Sequence, residues 1–93
     1  MKYVVAYDIT NDKRRTKIAD ILSQYGIRVN FSVFEIELTQ TQKENLLYEI
    51  EQKKLVHKEY DSLRFYHLCE NCVAKSFDIA NKADAFEEQN MVV

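Results

Sequence analysis

Tyr3-Val4-Val5-Ala6-Tyr7-Asp8-Ile9 is rich in β-branched and aromatic residues, and it stays apolar at both alternating sets of positions until Asp8. This composition predicts a central β-strand that is buried on two faces. Side chains alternate along a strand, so Asp8 is expected to point to the same side as Val4 and Ala6, near the strand's exit. A carboxylate at that end, followed at once by cations and free backbone N–H groups, suits a metal ion and a phosphate.

The segment after this strand predicts an α-helix whose N-cap is Thr10, Asn11 or Asp12. Gly26 is expected to end this helix as a left-handed C′ residue. The apolar side chains of the helix recur at the spacing of one face, and they are Ile18, Ile21, Leu22 and Tyr25.

Residues 27–38 have a β pattern that is long for one strand. We expect a short strand over residues 27–30, a sharp turn or bulge over residues 30–32, and a longer strand over residues 32–38.

A second helix is predicted over residues 41–54, because Thr41 and Glu44 fit a capping box. The apolar positions expected to face the core are Leu46, Leu47 and Ile50.

Two further strands are predicted, one over residues 61–68 and a weaker one over residues 73–79. The order βαββαβ, with the extra C-terminal strand, predicts an α+β ferredoxin-like sandwich with both helices on one face of an antiparallel sheet. With 93 residues, no proline and one glycine, the chain fits a single domain over residues 1–80 and a C-terminal tail over residues 81–93.

The other face of this sheet would expose the second apolar side of the first strand to water. A two-fold homodimer packed sheet to sheet is therefore expected to cover it. Residues 73–79 are expected to pair with an open edge of the partner's sheet, which would also protect that edge.

The charge of the chain is uneven. Its net charge is −2, which argues against general affinity for nucleic acid, yet residues 1–34 hold six Lys/Arg against three Asp/Glu. This local positive charge could hold phosphate.

No apolar run approaches the roughly 20 residues of a membrane span, and no cleavable signal is evident, so we expect a cytoplasmic protein without membrane contact.

Asp8 alone is a poor site for Mg²⁺, which takes one or two carboxylates together with waters and phosphate oxygens. A two-fold dimer would supply a second Asp8, so that the two chains share one metal ion. The alternative interpretation is that Asp8 caps the following helix or pairs with Arg14 or Arg15.

Lys13, Arg14 and Arg15 stand in the first helical turn, where the helix dipole disfavours cations. This violation of a local rule favours a phosphate site, to which Arg28 adds another cation. The alternative is an ordinary solvated basic turn, balanced by acidic neighbours.

Cys69 and Cys72 form a single CxxC motif, whereas a structural zinc site needs four ligands. No helix is evident that would lower a thiol pKa, so we expect two buried or half-buried structural thiols. Ser32 is either a donor to phosphate or a turn serine that caps its own backbone.

Several blocks together are similar to a known family, and they occur in family order over residues 2–72. The blocks are residues 3–9, 13–15, 25–30, 32–35, 61–66 and 68–69, with Cys72. They resemble the small CRISPR-associated protein 2 family.

The resemblance implies a ferredoxin-like homodimer with a divalent metal, usually Mg²⁺, near Asp8 of each subunit. It implies a metal-dependent endonuclease that acts on RNA or double-stranded DNA, and a spacer-acquisition subunit that bridges dimers of the adaptation integrase. By position, Tyr7 would adjoin the metal carboxylate as a catalytic residue, and Ser32 and Phe34 would support the site. The residues that would meet nucleic acid are Lys13, Arg14, Arg15 and Arg28.

Two alternatives remain open at this point. One is a non-catalytic DNA-bridging scaffold in the same complex, and the other is a toxin-like ribonuclease of the related virulence-associated family. Ser32-Val33-Phe34-Glu35, together with the cysteine pair, favours the adaptation subunit over the toxin.

Overall fold

A computed structural model describes residues 1–80 and Phe86 of the chain. The described residues form strands β1 (Lys2–Asp8), β2 (Gly26–Asn30), β3 (Val33–Glu37) and β4 (Ser62–Leu68), and helices α1 (Asp12–Leu22), α2 (Gln40–Gln52) and α3 (Glu70–Ala74). The sheet has the antiparallel order β2-β3-β1-β4. This is the ferredoxin-like α+β architecture that the sequence predicted.

Strand β1 lies at the centre of the sheet and has two different faces. Tyr3, Val5 and Tyr7 are buried at 6%, 0% and 4% exposure, respectively. Val4 and Ala6, on the other face, are half-buried, and the strand ends at the exposed Asp8. One face of β1 is therefore buried within the single chain, whereas the homodimer that would bury the other stays a prediction.

The core lies between the sheet and helices α1 and α2. Its fully buried members come from both layers, and they include Val5, Phe34, Ile36, Ile18, Leu22 and Leu46. Each such aliphatic or aromatic side chain contributes roughly 1.5–3 kcal/mol when fully buried. The alternation of apolar and acidic residues in β3 thus determines which face of the sheet carries the helices.

Helix α1 starts at one of the expected caps, because the Asn11 side chain accepts a hydrogen bond from the Arg14 backbone N–H at 3.0 Å. It ends at Leu22, so Tyr25 lies beyond the helix and packs half-buried against the core.

Helix α2 begins earlier than the sequence predicted, and the capping box at Thr41 is wrong. Thr39 is the N-cap, and its hydroxyl accepts from the Gln42 N–H while the Gln42 side chain accepts from the Thr39 N–H. Gln42 takes the N3 role that was assigned to Glu44. Leu47 is 43% exposed and lies outside the core.

Gly26 does not end α1 as a left-handed residue; that prediction is wrong. It is the first residue of β2 and has no positive φ. A Cβ atom at Gly26 would lie 2.0 Å from the Glu35 carbonyl oxygen. Glycine is needed here because the backbones of β2 and β3 approach closely.

The predicted irregularity between β2 and β3 is confirmed. The pairing register shifts between Arg28 and Asn30, and residues 31–32 form the turn. The bulge raises the local twist of this edge of the sheet.

The predicted strand over residues 73–79 does not form within the chain, and its start at Val73 is wrong, while its pairing with a partner's sheet stays a prediction. Residues Glu70–Ala74 form the short helix α3, and residues 75–80 form no strand. Phe77 and Ile79, which were expected to pair in a sheet, are 77% and 92% exposed. No helix among the described residues is long and apolar enough to cross a membrane.

Phe86 is the one described residue beyond position 80, and it is 1% exposed. Its backbone N–H donates to Glu35 Oε1 at 2.9 Å. Glu35 lies on β3 between the core residues Phe34 and Ile36, so its side chain points away from the helices. Phe86 therefore lies against the open face of the sheet. The predicted domain boundary at residue 80 stays a prediction, and the rest of the predicted tail lies outside the described residues.

Candidate metal and nucleic-acid site

Asp8 is an accessible carboxylate at the end of the central strand. It pairs with Ser62 of β4, and the preceding pair on the same face is Ala6 with Arg64. Asp8 is exposed, and within the described part of the chain it forms no ion pair with Arg14 or Arg15. The alternative in which Asp8 pairs with one of these arginines does not hold in this structure.

Tyr7 points to the opposite side of β1 from Asp8, because neighbouring side chains alternate. Its hydroxyl donates to the Phe31 carbonyl at 3.1 Å, and its ring stacks against Phe34 with 6.3 Å between centroids. The structure therefore places Tyr7 with the β2–β3 turn and in the core, away from the Asp8 carboxylate.

Arg28 lies in the same cluster as Tyr7. Its Nε donates to the Phe31 carbonyl at 3.0 Å, its Nη2 donates to the Tyr7 hydroxyl at 3.4 Å, and its guanidinium lies 5.7 Å from the Phe34 ring centroid. The Ser32 carbonyl accepts from the Tyr7 N–H at 3.0 Å. These contacts bring together Tyr7, Arg28, Ser32 and Phe34 and fix the β2–β3 turn against β1.

Arg14 forms an ion pair that the sequence did not indicate. Its Nη1 lies 2.7 Å from Oδ2 of Asp61, whose side chain is inaccessible to solvent. The same carboxylate accepts from the Thr10 N–H and hydroxyl, both at 2.9 Å, and from the His57 N–H at 2.7 Å. Asp61 thus joins the β1–α1 loop to the segment before β4.

These donors stabilise the charged form of Asp61. The hydrogen bond from the Thr10 backbone N–H is the largest cause that lowers the pKa of Asp61 from 3.8 to about 2. Desolvation opposes this shift, while the His57 N–H, the Thr10 hydroxyl and the Arg14 charge add to it. The carboxylate therefore stays ionised as the acceptor of this loop network.

Arg15 also holds the β1–α1 loop. It forms an ion pair with Asp12, and its Nη1 donates to the Ile9 carbonyl at 2.8 Å. Asp12 thus balances a cation of the basic turn, as the alternative interpretation expected, whereas Asp8 does not.

A hollow on the helix side of the molecule is lined by four cationic side chains, and we call it the lysine hollow. It has a volume of about 370 Å³ and is lined by Lys13, Arg14, Lys17, Lys53 and Leu55. Lys13 and Lys17 are exposed one turn apart on α1, while Lys53 pairs with Glu49 at 2.7 Å. Lys53 was missed in the sequence because only the packing of α1 against the end of α2 places it here.

Among residues 1–80 and Phe86, no three His, Cys, Asp or Glu side chains cluster closely enough to hold a metal ion. Asp8 offers carboxylate oxygens, the donor type that Mg²⁺ prefers, on an accessible surface. Asp8 therefore fits one half of a magnesium site.

Cys69 and Cys72 are both exposed, so the prediction of buried or half-buried thiols is wrong. Cys69 is the N-cap of α3, and its Sγ accepts from the Cys72 N–H at 3.4 Å. The helix was overlooked because it is only five residues long.

The order of strands and the covering of one sheet face define this protein as a ferredoxin-like α+β domain with an accessible carboxylate at the end of its first strand. Residues 1–76 match the family described as CRISPR associated protein Cas2. The chain belongs to this CRISPR-associated Cas2 family, which confirms the resemblance found in the sequence.

Two curated relatives illustrate the similarity. The chain is 48% identical over 66 residues to CRISPR-associated endoribonuclease Cas2 3 of Synechocystis sp.. The matched region covers 71% of this chain and 70% of that protein. It is 38% identical over 79 residues to CRISPR-associated endoribonuclease Cas2 of Thermus thermophilus, and this match covers 85% of this chain and 82% of that protein.

Solved structures are similar as well. Streptococcus pyogenes Cas2 matches with a TM-score of 0.72 and 28% identity, over 85% of this chain and 99% of that chain. A chain of a partial Cas6-RT-Cas1–Cas2 complex matches with a TM-score of 0.71 and 33% identity, over 86% of this chain and 91% of that chain. These matches confirm the ferredoxin-like fold.

Proposed function

We propose that this protein is a nuclease subunit of the CRISPR adaptation machinery, a metal-dependent endonuclease that cleaves phosphodiester bonds of RNA or double-stranded DNA. The observation that carries the proposal is Asp8, an exposed carboxylate with no ion pair to the neighbouring arginines, in a chain of the Cas2 family. Relatives named endoribonucleases support the nuclease activity.

The proposed site needs two chains, because among the described residues Asp8 belongs to no cluster of three side chains that could hold a metal ion. We assign Asp8 and the matching residue of a second copy as the groups that would hold Mg²⁺. A divalent ion supplies Lewis-acid stabilisation of charge on the scissile phosphate. Asp8 itself has one task in this proposal, which is to hold that ion on the accessible side of β1.

A homodimer packed through the open face of the sheet supports this arrangement. Val4 and Ala6 are half-buried on that face and Tyr66 is 49% exposed, so apolar area remains for a second copy to cover. Phe86 already covers a part of the same face. A two-fold axis near the end of β1 would place the two Asp8 side chains together.

The residues proposed to meet nucleic acid divide into two groups. Lys13 is exposed at the lysine hollow, and Arg14 lines the same hollow while it pairs with Asp61, which supports a role for both in contacting phosphate. Arg15 and Arg28 each bind a backbone carbonyl, so in this proposal they act mainly by holding the loops next to the phosphate. Tyr7, Ser32 and Phe34 support the site in the same indirect way.

The proposed partner is the adaptation integrase, because a chain in a Cas1–Cas2 complex is similar to this protein in both structure and sequence. We place the protein in the cytoplasm, because Cys69 and Cys72 are exposed free thiols and do not form a structural disulfide.

Replacing Asp8 by Asn tests the nuclease proposal. Asp8→Asn should lower Mg²⁺-dependent cleavage of RNA or double-stranded DNA by more than the roughly 10- to 100-fold loss that follows mutation of residues supporting a metal ligand. The molar mass in solution and the binding of integrase should not change. Asp20→Asn, an exposed carboxylate on α1, is the matched control and should cleave normally.

Normal cleavage by Asp8→Asn would show that this carboxylate does not hold a catalytic metal. The DNA-bridging scaffold would then be the better description. The lysine hollow favours this second candidate, because its cations lie on the helix side of the sheet, whereas Asp8 points to the open side. The toxin-like ribonuclease of the virulence-associated family has lost its support, because residues 1–76 match Cas2.

A further inference from the structure

Cys69 and Cys72 form a thiol pair that has no part in the proposed nuclease site. Their Sγ atoms lie 3.1 Å apart in a hydrogen bond, and both residues are exposed. The spacing i, i+3 around the first turn of α3 brings the two side chains to the same side. Closing an S–S bond of about 2.0 Å requires the two sulfur atoms to approach by roughly 1 Å.

The pair lies at the far end of the sheet from Asp8. In the β1–β4 register, Asp8 pairs with Ser62, whereas Lys2 pairs with Leu68, the residue just before Cys69. Six residue steps along β1 separate these ends, which is about 20 Å. The thiols are therefore outside the reach of the proposed metal.

We propose that Cys69 and Cys72 are a redox-active dithiol, which a low-molecular-weight disulfide such as oxidised glutathione converts to an intrachain disulfide. The contact between two accessible sulfur atoms carries this proposal, because thiol–disulfide exchange needs an attacking thiolate, an approach path and a second sulfur within reach.

The two cysteines have different roles in this exchange. A hydrogen bond from the Cys72 thiol is the main cause that lowers the pKa of the Cys69 thiol, and the Cys72 backbone N–H adds to it. The same hydrogen bond and the charge on Cys69 raise the pKa of the Cys72 thiol. Cys69 is therefore the nucleophile, and Cys72 is the resolving thiol.

The reaction is balanced in two exchange steps. The Cys69 thiolate attacks one sulfur of oxidised glutathione, which forms a mixed disulfide and releases the first glutathione thiolate. Cys72 then loses its proton and attacks Cys69 Sγ, which releases the second glutathione thiolate. The protein loses two electrons and two protons, and one oxidised glutathione becomes two molecules of reduced glutathione.

Oxidation would stabilise helix α3, which follows β4. Helix α3 has no buried residue, and its contacts include the hydrogen bond to Cys69 Sγ and an ion pair of 3.8 Å between Lys2 and Glu70. A covalent bond across its first turn restricts the unfolding of that turn. Amide hydrogen exchange over residues 71–75 should therefore slow in the oxidised protein.

The test equilibrates the full chain with mixtures of reduced and oxidised glutathione, quenches with acid, alkylates free thiols and measures the intact mass. We expect both thiols to become protected together, in a monomeric chain that has lost two hydrogen atoms and carries no glutathione. Cys72→Ser should stop at the mixed disulfide on Cys69. In the reduced wild type near neutral pH, brief alkylation should modify Cys69 several-fold faster than Cys72.

Three results would overturn the proposal: two alkylatable thiols at every ratio of oxidised to reduced glutathione, disulfides only between chains, or stable zinc bound through these cysteines in the reduced protein. Nuclease activity does not enter any of these measurements, so the outcome is independent of the proposed function.

Discussion

Arg14 and Asp61 are 47 positions apart in the sequence, yet their side chains form an ion pair of 2.7 Å. The Asp61 carboxylate is inaccessible to solvent and also binds Thr10 and the His57 N–H. The basic start of α1 is therefore a structural joint between β1, α1 and the entry to β4, as well as a candidate phosphate contact.

Because Asp61 holds this joint in its ionised form, we expect the free energy of unfolding to fall at acid pH. The folded pKa of Asp61, about 2, is lower than the ordinary value of 3.8. A group with a lowered folded pKa stabilises the fold above its unfolded pKa and loses that contribution as pH falls through its folded pKa. We expect the Asp61 contribution to the free energy of unfolding to be complete above pH 3.8 and to disappear between pH 3.8 and about 2.

Urea unfolding of the wild type and Asp61→Asn between pH 2 and 7 measures this contribution. Asp61→Asn should lower the midpoint at neutral pH, and the difference between the two proteins should shrink towards pH 2. A difference that is constant over this range would contradict the role of the ionised carboxylate.

The lysine hollow predicts a change in the salt dependence of nucleic-acid binding. Each phosphate contact to double-stranded DNA adds about 0.9 to the slope of log K against log salt concentration. Replacing Lys13 and Lys17 by Ala should reduce the slope by up to about 1.8 and should leave the free energy of unfolding nearly unchanged, because both side chains are exposed.

A charge-matched control replaces Lys43 and Lys75 by Ala. Lys43 lies in α2, ten residues before Lys53, which is about 15 Å along a helix, and Lys75 follows α3. A slope that falls equally in both double variants would indicate an effect of net charge alone. Replacing Arg14 or Arg15 would be less informative, because each also stabilises the β1–α1 loop.

Gly26 predicts a steric effect between two strands. A Cβ atom there would lie 2.0 Å from the Glu35 carbonyl oxygen, so the backbones of β2 and β3 must move apart in Gly26→Ala. We expect a loss of about 1–3 kcal/mol or more in the free energy of unfolding, the range for overpacked sites. Val29→Ala in the same strand, at a half-exposed position, should stay within about 0.5 kcal/mol of the wild type.

The start of α2 gives a direct comparison between two threonines. Thr39→Ala should cost about 0.5–2 kcal/mol, because it removes the hydroxyl that accepts from the Gln42 N–H. Thr41→Ala, which changes the residue that the sequence pattern favoured as the cap, should cost less than about 0.5 kcal/mol. Chemical denaturation measures the loss of stability in each variant. An equal loss in both would contradict the assignment of Thr39 as the N-cap.

Local patterns in the sequence were sufficient to predict the four strands of the sheet and the presence of the two main helices. The apolar run of β1 predicted a central strand with Asp8 at its exit, and the alternation of apolar and acidic residues in β3 predicted which of its side chains are buried. These features depend on neighbours along the chain, and the period of two is visible in a single sequence.

Features that depend on distant segments could not be predicted. Asp61 meets Thr10 and Arg14 only because β1 and β4 pair in one particular register. Gly26 matched the pattern of a helix end, but its real constraint is the position of Glu35 on the next strand. The apolar residues Val73 and Phe77 are four positions apart and suit either a helix or a chain end as well as a strand.

Substitutions at neighbouring positions of β1 should have different kinds of effect. Tyr7 is buried and bonded to the β2–β3 turn, while Asp8, the next residue, faces solvent. A substitution at Tyr3, Val5 or Tyr7 changes the energy of the fold, whereas one at Asp8 changes mainly what the strand presents to other molecules. The binding properties of this end of the sheet can therefore change, in nature or by design, while the fold is retained.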